Sequence, residues 1–126
     1  MNPIDRQLQA EEVNFNPSSQ KDMMMGDAEQ QAYILEKVSH LPTTPGVYLW
    51  RDKYQRIIYV GKAINLRNRV RSYVQQDLNR SVKVTAMMRR AWDVETIQTK
   101  TEMEALILEA TLIKEHHPKY NIMLRD

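Results

Sequence analysis

The sequence predicts an α+β fold, a small three-stranded antiparallel sheet flanked by helices. Three observations lead there. Two runs rich in β-branched and aromatic residues, Gly46–Arg51 and Arg56–Val60, flank the polar Asp52–Gln55 and read as a hairpin. A third run, Trp92–Gln98, alternates in part and is followed by Thr and Lys, which predicts one more strand. The segments around them carry apolar residues at helical spacing.

Residues 1–27 are polar and lack periodicity, with Asn14, Asn16, Pro17, Ser18, Ser19 and Gln20 typical of a flexible lead-in. Over 28–40, Ala32, Leu35 and Val38 recur at helical spacing, with Ile34 alongside, and predict a short helix packed on the body. Residues 41–126 form that body. Pro42 and Pro45 bracket the approach to the first strand, and Gly61 is expected to end the second. Asn65 is a candidate N-cap for a helix reaching about Val74. After a loop at 75–80, Ser81–Ala91 reads as helical, with Val82, Met87 and Met88 among its apolar positions. Thr101 caps a last helix, with Glu104 as its capping-box partner. That helix runs to about His116, and Pro118 stops it.

The chain of 126 residues has room for one ordinary domain. It has no cysteine, which excludes disulfides and thiolate metal sites and suits a reducing cytoplasm. No stretch approaches the roughly 18 apolar residues of a membrane span, and without a positive-then-apolar opening no secretory signal is expected. The net charge of +2 conceals an asymmetry: 1–40 hold 3 Lys/Arg against 7 Asp/Glu, whereas 41–126 hold 15 against 9. A basic body of this kind attracts a polyanion.

Three groups could do chemistry. Glu109 has Ala105, Leu106, Leu112 and Ile113 as helical neighbours, so its carboxylate points at or near the core. An ionised carboxylate there needs a cation, either a divalent metal or an arginine such as Arg67 or Arg69. In the 65–74 helix, Leu66, Val70 and Tyr73 line one side, Arg69 lies at its edge, and Arg67 and Arg71 form a second row. With Lys62 they make four cations within ten residues, directly after a glycine turn, and guanidinium forks suit phosphate oxygens. Tyr59 has Lys62 nearby, and a neighbouring cation would favour the ionised phenol that a general base requires. His116 and His117 fit the cation preference of a helix C-terminus, and His40 receives no role.

These residues resemble the GIY-YIG nuclease family, with Gly46-Val47-Tyr48 and Tyr59-Val60-Gly61 as its two name motifs. The UvrC branch of that family is the nearer likeness. It is carried by Leu41-Pro42, Pro45-Gly46-Val47-Tyr48-Leu49, Tyr59-Val60-Gly61-Lys62-Ala63 with Asn65-Leu66-Arg67, and Leu108-Glu109-Ala110 with Pro118-Lys119-Tyr120-Asn121. The resemblance covers 41–126. It implies a metal-dependent DNA endonuclease domain that cuts on the 3′ side of a lesion in nucleotide excision repair. Tyr59 would be the general base and Arg69 the stabiliser of the charged phosphate. Glu109 would ligate one Mg²⁺ or Mn²⁺, a single carboxylate arguing for a single ion. Lys62, Tyr48, Tyr73 and Asn121 would position these groups, and Lys62, Arg67, Arg69 and Arg71 would meet DNA. The implied partners are DNA and, in a full-length protein, a UvrB–DNA complex.

Family members continue into a second nuclease domain and UvrB-engaging segments, so a fragment is expected here, and the acidic leader departs from their pattern. Two alternatives stand beside this reading. One is another GIY-YIG structure-specific or homing nuclease, against which the Pro118–Asn121 block argues. The other is an inactive DNA-binding module, against which the complete set of catalytic residue types argues.

Overall fold

The computed structural model describes residues 17–75 and 81–124, with side chains from residue 28 onward. The chain divides into two compact units, residues 1–33 and 34–126. Helix α1 spans Pro17–Ser39, so its last turns belong to the second unit. Residues 17–27, expected as a flexible lead-in, are helical. Gln20, Lys21 and Met23 to Met25 in this stretch are strong helix formers and need no apolar stripe to be so. Residues 1–16 lie outside the described part. The residues of α1 that enter the core are Ile34 and Val38, followed by Leu41, whereas Ala32 and Leu35 are exposed. The i, i+4 pair, not the expected 32-35-38 series, is the packed face.

The sheet has the order β2-β1-β3, with β1 at Gly46–Arg51, β2 at Ile57–Ala63 and β3 at Asp93–Gln98. Both pairings are antiparallel. The central strand is buried on both faces, which is why Gly-Val-Tyr-Leu-Trp lacks polar alternation. Tyr48 and Trp50 face a core built with Ile34, Val38, Leu66, Val70, Tyr73 and Met87. Val47, Leu49 and Val60 face Ala105, with Leu108, Leu112 and Ile113 packed alongside. The sheet therefore lies between helical layers.

Asp52 organises the β1–β2 turn. Its carboxylate accepts from the amides of Tyr54 and Arg56, both at 2.9 Å, and from Arg56 Nε at 2.8 Å. Gln55 takes the left-handed conformation, at φ 68°. Helix α2, Leu66–Val74, is capped by Asn65, whose Oδ1 accepts from the Asn68 amide. Helix α3, Val82–Arg90, is capped by Ser81 in the same way. It buries Met87 but leaves Val82 exposed. Helix α4, Glu102–His116, starts at Thr101, whose hydroxyl accepts from the Glu104 amide. It ends with His117 in the left-handed conformation, its amide bonded to the Ile113 carbonyl. A further short helix, α5 (Lys119–Met123), follows Pro118. The proline stops α4 as expected and also opens α5, because its fixed φ of −63° suits a helix start.

Gly61, expected to end β2 with a turn, does neither. It does not end β2, which continues to Ala63, and its φ is not positive. Gly61 pairs with Tyr48 across the ladder. A Cβ at residue 61 would collide with the Tyr48 ring and hydroxyl. The glycine is required for space, not for a turn.

Candidate active site

Tyr48, Tyr59 and Tyr73 come together on the α2 side of the sheet. Their ring centroids lie 5.5 Å apart for Tyr48 and Tyr73, and 6.2 Å apart for each pair with Tyr59. Tyr48 and Tyr73 share a hydrogen bond of 2.7 Å between hydroxyls. Arg69, one turn before Tyr73, places its guanidinium 5.2 Å from that ring centre. It also donates to the Tyr73 hydroxyl at 3.4 Å. The 69–73 spacing of four on α2 produces this arrangement.

Burial raises the pKa of all three phenols, and Arg69 works in the opposite direction. For Tyr59 the neighbouring Tyr73 and the Glu109 carboxylate add to the rise. Lys62 is not the cation that counteracts it. Three residues beyond Tyr59, Lys62 leaves β2 on the opposite face, so the sequence-based pairing of these two side chains is corrected. Arg69 is the cation that acts on Tyr59.

Lys62 instead meets Glu109. The Glu109 carboxyl is half-buried, and burial raises its pKa. The Lys62 charge and main-chain amide pull it back down. No ion pair joins Glu109 to Arg67 or Arg69 among the described residues. Arg67 turns away and donates from Nε to the Leu41 carbonyl at 2.8 Å, which commits part of its fork to the fold. Arg71 is exposed in the last turn of α2. Among the described residues there is no group of three or more acidic, His or Cys ligands for a metal. A single carboxylate with open neighbours still fits a hard divalent ion such as Mg²⁺, which keeps waters and takes substrate phosphate oxygens as further ligands.

Asn121 has a role in the fold that the sequence did not specify. Its Oδ1 accepts from the Val60 amide and its Nδ2 donates to the Val60 carbonyl, both at 2.8 Å. The side chain thus stands in for a neighbouring strand at the free edge of β2, between Tyr59 and Gly61. A cleft of about 450 Å³ adjoins the cluster and is lined in part by Lys62, Ile64, Asn65, Asn68, Arg69 and Glu102. The sequence singles out Lys62 and Arg69 for function; Glu102, an exposed residue of α4, is a further part of this lining. Its spacing of seven from Glu109 sets both on one helix face.

A strand-borne tyrosine pair, an arginine on the next helix and a lone carboxylate from the opposite layer, on a three-stranded antiparallel sheet, are the arrangement expected of the GIY-YIG class. Comparison with known proteins agrees. Residues 44–122 match the model of the UvrC-like GIY-YIG domain. The chain is 56% identical over 93 residues to UvrABC system protein C of Gemmatimonas aurantiaca, covering 74% of this chain and 15% of that protein. It is 61% identical over 88 residues to the same-named protein of Lawsonia intracellularis, covering 70% of this chain and 14% of that protein. Among solved structures it resembles the GIY-YIG N-terminal endonuclease domain of UvrC from Thermotoga maritima, bound to magnesium as its catalytic divalent cation. That match has a TM-score of 0.62 at 43% identity and covers 70% of this chain and 94% of that one. The chain belongs to the UvrC-like GIY-YIG family. It spans only about 15% of the length of the curated relatives it matches.

Proposed function

We propose that this chain is a divalent-metal-dependent DNA endonuclease domain that hydrolyses a phosphodiester on the 3′ side of a lesion in nucleotide excision repair. The observation that carries this reading is the convergence of Tyr59, Arg69 and Glu109 from three separate elements. Tyr59 is the general base for the attacking water. The raised pKa of its phenol means that the proton leaves only when positive charge is brought close. Arg69, held against Tyr73, supplies part of that charge and meets the developing charge on the phosphate. Glu109 holds a single Mg²⁺ or Mn²⁺, which when bound supplies Lewis-acid stabilisation of the phosphate.

Tyr48 and Tyr73 hold the cluster through their shared hydrogen bond, and Asn121 braces β2 behind Tyr59. Lys62 neutralises the site from the other face, while Arg67 and Arg71 extend the cationic surface along α2. The wider setting is DNA presented by a UvrB–DNA complex in the cytoplasm, with the domain acting as part of a longer protein. No helix among the described residues is long and apolar enough to cross a membrane.

Mn²⁺ titration by calorimetry, on the wild type and on Glu109→Ala, tests the metal role. Binding that vanishes in the variant is expected. Incision of lesion-containing DNA loaded with UvrB tests the activity, and a wild-type protein that binds Mn²⁺ yet leaves that strand intact would overturn the reading.

A further inference from the structure

The cleft beside the tyrosine cluster has walls that a phosphate site does not need. Arg69, from the tyrosine cluster, and Lys62, beside Glu109, both line the cleft, so the cleft flanks the position of the reacting phosphate. Its lining also includes Ile64, which is 64% exposed, and Glu102. An aliphatic side chain gains nothing from a phosphate oxygen, and a carboxylate repels one. The Glu102 carboxylate makes no ion pair among the described residues. Asn65 uses its Oδ1 on the Asn68 amide and keeps its Nδ2 donors. Ser72 donates to the Arg69 carbonyl and keeps its acceptor lone pairs.

An apolar surface, a free anionic acceptor and several neutral polar groups suit a heterocycle with a polar edge. We propose that this cleft takes one unstacked nucleobase of the strand being cut, next to the phosphate held by Lys62 and Arg69. This rests on the endonuclease reading and narrows its substrate class. Ile64 covers the face of the base, and Glu102 accepts from an exocyclic amino group. Cytosine, adenine and guanine carry such a group and thymine does not. A volume of about 450 Å³ lies within the range of small-ligand pockets and accommodates a base with part of its sugar. A base in an intact duplex cannot enter it without leaving the stack. The base that enters is therefore either unpaired beforehand or turned out of the stack on binding.

The test is fluorescence anisotropy with three short single-stranded homopolymers of equal phosphate number: deoxycytidine, thymidine and an abasic sugar–phosphate chain. Homopolymers remove any ambiguity of register. The wild type should bind deoxycytidine about fivefold or more tighter than the abasic strand, as burial of a base face implies. Ile64→Ala should remove most of that difference and leave abasic binding unchanged. Glu102→Gln should tighten the abasic strand, since a repulsive charge is gone, yet lower the preference for deoxycytidine over thymidine. Both side chains are exposed, so the variants should melt like the wild type. Equal binding of all three strands would overturn the base site and leave the endonuclease reading standing. Failure to bind any strand would also overturn the base site, whereas the endonuclease reading is decided by incision of UvrB-loaded DNA.

Discussion

Tyr48 and Gly61 are partners across the β1–β2 ladder, and the Tyr48 ring fills the volume that a side chain at residue 61 would occupy. The Tyr48 hydroxyl crosses β2 through this gap and reaches Tyr73. A glycine on one strand thus places a phenol belonging to the other.

Gly61→Ala should destabilise the fold by roughly 1–3 kcal/mol, the usual range for overpacking a close contact. The same substitution in a Tyr48→Ala background should cost much less, because the colliding ring is absent. Thermal denaturation of the two single variants and the double variant gives the coupling. Additive losses would show that the Tyr48 ring is not what excludes a side chain at 61.

Asn121→Ala should leave the Val60 amide and carbonyl without partners at a half-buried edge. The loss should be about 1–3 kcal/mol, as for other unpaired main-chain groups. Hydrogen exchange at the Val60 amide should accelerate in the variant. An unchanged exchange rate would argue that water replaces Asn121 with no penalty and that the side chain does not brace β2.

Glu109 carries a pKa raised mainly by burial, with Lys62 opposing. An acid raised in the folded state stabilises the fold below its unfolded pKa, and that contribution is lost as pH rises through the folded one. At neutral pH and without metal, its ionised form therefore weakens the fold. Glu109→Gln should raise the metal-free melting temperature slightly at neutral pH and leave it unchanged near about pH 3, below the ordinary carboxylate range. The same variant should lose Mn²⁺ binding. A lower melting temperature at neutral pH would make Glu109 a structural anion.

Tyr59→Phe keeps the ring and removes the hydroxyl, so the packing of the cluster survives. Cutting should fall by about 10²- to 10⁴-fold, the range of a general base. Because burial raises the phenol, the wild-type rate should climb with pH through the neutral and alkaline range. The residual rate of the variant should lose that slope. A wild-type rate that falls with rising pH would remove Tyr59 from the role.

Arg69→Ala should lower kcat by about 10²- to 10³-fold, the effect of losing one preorganised charge at a transition state. DNA affinity should change far less. Equal losses in turnover and in binding would make Arg69 a docking residue.

The amino-acid order was enough to determine the strands, most helix limits, the paired tyrosine motifs and the arginine edge of α2. Those features depend on periodicity and capping, which act over a few residues: Asn65, Ser81 and Thr101 cap where their side chains can reach the next turn. The tertiary structure alone decided which cation serves which group. Tyr59 and Lys62 are three apart on a strand, so alternation sends them to opposite faces, and Lys62 meets Glu109 while Arg69 serves Tyr59. It also decided that Gly61 is there for the Tyr48 ring and that Asn121 completes the edge of β2. These are contacts between residues far apart in the chain, and only the packing of one layer on another brings them within reach.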